Sequence, residues 1–91
     1  MRTFSRTTQF KNDVKRAGKR GKDLATLKAA LDLLIDGTPL PAQYQDHPLR
    51  GAFAGSRDCH LESDWVLIYT LTENGNHVRF ERTGTHSDLF R

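Results

Sequence analysis

The sequence predicts an α+β fold in a single domain spanning residues 1–91. Three observations predict it. The first half carries apolar residues at helical spacing. The second half switches to strand-like alternation around one long apolar run. The length is that of one small domain, too short for a nucleotide-binding domain plus a substrate domain.

Residues 2–6 alternate and are compatible with a short opening strand that can add to a sheet edge. Thr7 or Thr8 can cap a helix over roughly 8–18, in which Phe10, Val14 and Ala17 form a narrow apolar stripe. Gly18 and Gly21 end it. Asp23 is placed to cap a second helix, where Leu24, Leu27, Leu31 and Leu34 recur at spacings of three and four until Gly37 stops it. The short connection predicts an antiparallel helix pair. Thr38-Pro39-Leu40-Pro41 reads as an extended connector. Cys59 and Leu61 then alternate with Asp58, His60 and Glu62. The run Trp65 to Leu71 suits a strand buried on both faces. Asn74-Gly75 signals a hairpin turn. Val78 and Phe80 alternate with Arg79 and Glu81, Gly84 breaks the strand, and 85–90 read as a short tail. The expected architecture is two antiparallel helices on one face of an antiparallel sheet, with the other face left to solvent or a ligand.

Composition narrows the function classes. The chain is 36% hydrophobic and 27% charged with three prolines, as in a folded domain. No stretch approaches the roughly 18 apolar residues of a membrane span. The N-terminus has no apolar run after its arginines and does not read as a secretory signal. The single cysteine, Cys59, forms no internal disulfide and removes every multi-cysteine zinc pattern, so a reducing, cytoplasmic compartment is expected. The net charge of +3 is uneven. Residues 1–22 hold eight basic groups and one acid, a local +7, whereas the remainder holds six basic and ten acidic groups, a local −4. A polyanion or an acidic protein is the natural partner of such a basic end.

Four histidines occur, His47, His60, His77 and His86. On a strand, Asp58, His60 and Glu62 share one face, and carboxylates beside an imidazole fix its orientation and favour its charged form. That suits acid–base work. A solvated strand face that happens to carry a histidine fits the same residues. His47 and His86 fall in loop regions, and His77 beside a turn. No HxH or HExxH spacing is present, so no metal site and no cofactor are expected. The run Lys15, Arg16, Lys19, Arg20 and Lys22 reads either as a solvated helix end or as a phosphate-contacting patch. Trp65, Tyr69 and Phe80 read as core. Phe90, near the C-terminus, either packs or offers a surface on which a base can stack.

Three segments carry a family resemblance. Asp46-His47-Pro48-Leu49-Arg50-Gly51, then Gly55 to Tyr69, then Arg79 to Phe90 closely resemble the YafQ-type toxins of the RelE/ParE superfamily. The match extends upstream to Phe10–Lys15 and the leucine-rich helix, and so covers nearly the whole chain. The resemblance implies a RelE-like, microbial ribonuclease-like α+β fold. It also implies a bacterial type II toxin, a ribosome-dependent endoribonuclease that cuts mRNA in the A site and is neutralised by a cognate acidic antitoxin. The expected partners are thus that antitoxin, the 70S ribosome and mRNA. Position by position, His47, His60, Asp64 and His86 match the family's catalytic set. Asp58, Trp65, Arg82 and Phe90 match residues implicated around it. Two other functions fit parts of the sequence. A gyrase-inhibiting member of the superfamily has no need of the histidines, and a non-catalytic RNA- or ribosome-binding module is supported by the basic segment alone.

Overall fold

The computed structural model describes residues 1–90. It runs β1 (Thr3–Arg6), α1 (Thr8–Lys19), α2 (Leu24–Asp36), β2 (His47–Pro48), β3 (Arg57–Glu62), β4 (Trp65–Thr72), β5 (His77–Gly84) and α3 (His86–Phe90). The helix boundaries follow from their caps. The Thr7 hydroxyl accepts from Phe10 N, and the Asp23 carboxylate accepts from Ala25 N. Gly37 closes α2 with φ 81°, a left-handed angle that glycine adopts without steric cost. No helix among the described residues is long and apolar enough to cross a membrane.

The sheet has five strands in the order β1-β5-β4-β3-β2. It is mixed, which departs from the antiparallel sheet expected. β1 runs parallel to β5, pairing Thr3 with His77 and Arg6 with Phe80. α1 then carries the chain away from the sheet, so β1 reaches β5 only through the whole intervening fold. The Glu73–Gly75 turn closes the predicted hairpin, with Glu73, Asn74 and Gly75 all at positive φ. Within 85–90, expected to be a tail, residues 86–90 instead form α3.

The central strand β4 is buried on both faces. Trp65, Leu67 and Tyr69 meet Phe10, Ala17, Leu27, Ala30 and Leu34 of the helices, together with Val78 and Phe80. On the far face, Val66 and Ile68 meet Leu89 of α3, with Leu49 and Phe53 packed against them. The second face is therefore only partly open. Each fully buried aliphatic or aromatic side chain contributes about 1.5–3 kcal/mol, which makes β4 the anchor of both layers.

Two irregularities in the ladder decide which residues reach the second face. His60 pairs with Val66 and Glu62 with Trp65, so a bulge lies at Leu61. Ile68 pairs with Arg82 and Tyr69 with Phe80, so a second bulge lies at Glu81. Strict alternation would put Phe80 and Arg82 on the same face. The bulge sends Phe80 to the helix-side core and sets Arg82 in register with Ile68 on the other face.

Asp13 joins α1 to this strand. It is 2% exposed. Its carboxylate accepts from Arg82 Nε at 2.8 Å, Arg82 Nη2 at 3.2 Å, Arg16 Nη2 at 3.1 Å and the Thr83 amide at 3.2 Å. A carboxylate buried this deeply is tolerated only with such pairing. Asp13→Ala leaves the Arg82 guanidinium and the Thr83 amide stranded, and is expected to lower the unfolding free energy by about 3 kcal/mol. Urea denaturation measures it, and a loss within the roughly 0.5 kcal/mol of an ordinary surface change would show that the carboxylate is not a structural tie.

Candidate functional site

The second face gathers the histidines. β2 pairs His47 with Asp58, and β3 pairs Asp58 with Ile68 and His60 with Val66, which places all three strands' contributions on one surface. β5 ends at Gly84, and α3 begins at His86. The three imidazoles stand in a row. The ring centroids of His47 and His60 are 6.3 Å apart, and those of His60 and His86 are 5.3 Å apart at an interplanar angle of 72°. Phe90 continues the row, 6.0 Å from His86, and is braced edge-on by Phe53 at 5.8 Å. It is 40% exposed, so its ring combines support with access.

The position of His86 has a local cause. Thr85 and Asp88 cap α3 reciprocally: the Thr85 amide donates to Asp88 Oδ2 and the Asp88 amide donates to Thr85 Oγ1, both at 3.0 Å. A Cβ at Gly84 would lie 2.9 Å from Asp88 Oδ2, so the reversal of the chain into α3 needs glycine there. Arg20, at the end of α1, donates to the same carboxylate at 2.7 Å. A threonine followed three residues later by an acid was the sequence signal for this helix.

The hydrogen bonds set the ring orientations. His86 Nδ1 lies 2.7 Å from Asp64 Oδ1, which also accepts the His86 amide at 3.0 Å. A carboxylate only accepts, so Nδ1 carries the hydrogen and Nε2 is left to the site. His47 Nδ1 lies 2.7 Å from the Gln45 carbonyl, with the same consequence. The His60 ring has no hydrogen-bond partner among the described residues.

Asp58 lies behind the row, 3% exposed. Its Oδ1 is 3.1 Å from His47 Nδ1. This is a charge contact and not a hydrogen bond, because Nδ1 is aimed at Gln45 and that Asp58 oxygen has no hydrogen-bond partner. Burial pushes the Asp58 carboxyl above its ordinary range, and the charges of His47, His60 and His86 pull it back. The arrangement places one desolvated negative charge beneath three imidazoles.

Arg82 lies in register with Asp58 across β4, through Ile68. Asp13 engages its Nε and Nη2 and raises its pKa, leaving Nη1 without a partner among the described residues.

Several expected site residues lie elsewhere. Glu62 does not share the face of His60, because the bulge at Leu61 turns it toward Lys22, with Lys22 Nζ 3.1 Å from its carboxylate. Trp65 is 1% exposed in the helix-side core, so its ring is not presented to a base. Lys22 Nζ lies 5.7 Å from the centre of that ring. Of the basic run, Arg16 is held by Asp13, Arg20 by Asp88 and Lys22 by Glu62. Lys15 and Lys19 are exposed and have no ion-pair partner among the described residues. The basic segment is thus wired to the site through Arg20 and Asp88, and not set apart from it. Cys59 is fully buried and its thiol is pushed up to about 12 by desolvation, which excludes it as a thiolate nucleophile near neutral pH. Among the described residues, no three of His, Cys, Asp and Glu are grouped so as to hold a metal ion.

Comparison with known proteins identifies the family. A family model described as a bacterial toxin of type II toxin–antitoxin systems, YafQ, matches residues 2–91. The chain belongs to the YafQ toxin family. The mRNA interferase toxin YafQ of Escherichia coli strain K12 is 57% identical over 83 residues, which span 90% of this chain and 88% of that protein. The crystal structure of YafQ from E. coli strain BL21(DE3) superimposes with a TM-score of 0.93 at 51% identity, covering 100% of both chains. The YafQ chain of the E. coli DinJ–YafQ complex gives a TM-score of 0.91 at 51% identity, again over 100% of both chains. The bulged mixed sheet with α3 folded back onto it is therefore the YafQ architecture.

The tether on α3 has a pH signature. Arg20 and the Thr85 amide hold the Asp88 carboxyl well below the usual carboxylate range. A depressed folded-state value means that Asp88 contributes stability above the unfolded value of about 3.9 and loses it as pH falls toward the folded one. Asp88→Asn is expected to be less stable at neutral pH and to show a shallower decline in stability below about pH 4. Thermal melts across pH 2–7 test this, and curves parallel to wild type would mean that the tether carries no net stabilisation.

Proposed function

We propose that this YafQ-family toxin is a ribosome-dependent endoribonuclease that cuts mRNA in the A site by histidine acid–base catalysis. The observation that carries the proposal is the row of His47, His60 and His86, with Asp58 buried beneath it and Asp64 on His86 Nδ1. The name mRNA interferase borne by the E. coli relative supports the same substrate class.

The chemistry uses the RNA's own nucleophile. The 2′-oxygen attacks the adjacent phosphorus, the P–O5′ bond breaks, and a 2′,3′-cyclic phosphate and a 5′-hydroxyl result. One group must take the 2′-proton and another must give a proton to the 5′-oxygen. Histidine changes charge near neutral pH and fills both roles. His86 is the general acid in this scheme. Asp64 fixes its Nδ1 hydrogen and stabilises the imidazolium, so that Nε2 delivers the proton. His47 and His60 share the base and phosphate-binding roles. Arg82, held rigid by Asp13, offers Nη1 to the charge that grows on the phosphorane. Phe90 stacks on a base and keeps the nucleotide in line.

Lys15 and Lys19 supply phosphate contacts to ribosomal RNA, which position the toxin without reading sequence. The complex of the E. coli relative with DinJ supports a cognate antitoxin for this chain, and the basic N-terminal segment calls for an acidic one. The ribosomal substrate places the activity in the cytoplasm.

His86→Ala removes an exposed side chain and is expected to leave the fold intact. It should lower mRNA cleavage by about a hundredfold or more and abolish growth arrest. Primer extension on mRNA from induced cells reads both the cut and its codon. Full toxicity of a folded His86→Ala protein would overturn the scheme.

A further inference from the structure

Behind His47, on the helix side of the sheet, lies a cluster that the scheme above does not use. The Asp46 carboxylate accepts the Tyr69 hydroxyl at 2.5 Å, Arg57 Nε at 3.2 Å and Arg57 Nη2 at 3.3 Å. Arg57 and Tyr69 are direct partners across β3 and β4, one register position from Asp58 and Ile68. Alternation therefore puts this trio on the face opposite the histidines. Tyr69 is 2% exposed, packed in the helix-side core. Burial and the Asp46 charge push its hydroxyl upward, so it remains a donor at working pH.

Asp46 immediately precedes His47, and β2 is only two residues long. A strand that short does not fix its own orientation. The residue before Asp46, Gln45, has φ 51° and ψ 43°. That left-handed conformation is costly for a non-glycine residue and persists where neighbours impose it. Its carbonyl is the group that holds His47 Nδ1. The chain of contacts runs from Tyr69 and Arg57 to Asp46, through the backbone to Gln45, and from Gln45 to the imidazole.

We infer that Asp46, clamped by Tyr69 and Arg57, is a positioning residue that sets the orientation and tautomer of His47 from the opposite face of the sheet. It touches no RNA. The inference rests on the role given to His47 above and deepens it. With the clamp loosened, Gln45 relaxes toward ordinary backbone angles, its carbonyl leaves Nδ1, and the ring loses its aim.

The test uses the full-length toxin purified from its antitoxin, assayed in single turnover on mRNA-programmed 70S ribosomes, with ring nitrogens followed by 15N NMR. Tyr69→Phe deletes one hydroxyl and keeps the core ring. Asp46→Asn deletes the charge and keeps the shape. Both are expected to cut about tenfold more slowly, with ribosome affinity within twofold, since a misplaced reacting group costs rate and not binding. The His47 ring signals should leave the Nδ1–H pattern while those of His60 and His86 stay. Rates within threefold of wild type, slow cleavage with unmoved His47 signals, or all three rings shifting together would each overturn the inference. Should Asp46→Asn fail to fold, Tyr69→Phe decides alone. His47→Ala separates the two claims. If it cuts at the wild-type rate, the role of His47 is wrong, while the ring signals in Tyr69→Phe still decide the clamp.

Discussion

The buried carboxylate of Asp13 is the constraint on which the rest of the structure depends. An ionised group removed from water must be paired from several sides, and each of its donors comes from a part of the molecule that needs placing. The Thr83 amide and the Arg82 guanidinium belong to β5 just past its bulge, and Arg16 belongs to α1 itself. One carboxylate therefore sets the helix against the strand, holds the strand in its shifted register and stiffens the arginine that faces the opposite surface. Position 13 is the only acid among the first 22 residues, so the most basic part of the chain is organised around a single negative charge.

The site follows a similar logic in milder form. Its imidazoles are oriented by acceptors that cannot donate, Asp64 for His86 and the Gln45 carbonyl for His47. Both therefore present Nε2. His60, between them, has ring contacts with both and no side-chain hydrogen bond among the described residues. The carboxylates differ in what surrounds them. Asp64 is exposed, and its hydrogen bonds from His86 hold its pKa low. Asp58 is buried, and desolvation raises its pKa. One acts as a partner in direct contact and the other as a field.

Much of this was legible in the chain because it depends on near neighbours. Thr7, Asp23 and Gly37 act within a turn of themselves, and the Trp65–Leu71 run needed only its own composition to read as a strand buried on both faces. The histidines and Asp64 were legible through resemblance, and not through spacing, since His47 and His86 lie in segments that read as loops. The parts that were not legible join distant residues. Nothing near Thr3 announces a parallel partner at His77, and nothing near Asp13 announces Arg82. The bulges at Leu61 and Glu81 defeat alternation, so Glu62 does not share the face of His60 as strict alternation predicts, while Trp65, read both as core and as a contact for RNA, is buried with Leu67 and Tyr69. The helix at 86–90 is not legible although Thr85 and Asp88 stand at capping-box spacing, because five residues carry too little periodicity.

The parallel pairing of β1 with β5 also has a kinetic meaning. The first strand of the chain has no partner until residues 77–80 exist, so the sheet closes around a loop of more than 70 residues. Such non-local closure is entropically late and slows folding relative to helix and hairpin formation. Arg82, His86 and Phe90 lie still further along. The two helices rest on local contacts, whereas closing the sheet and completing the histidine row both need residues 77–90 in place. The sheet and the histidine row therefore reach completion in the same late folding step, the one that brings residues 77–90 back to the opening strand.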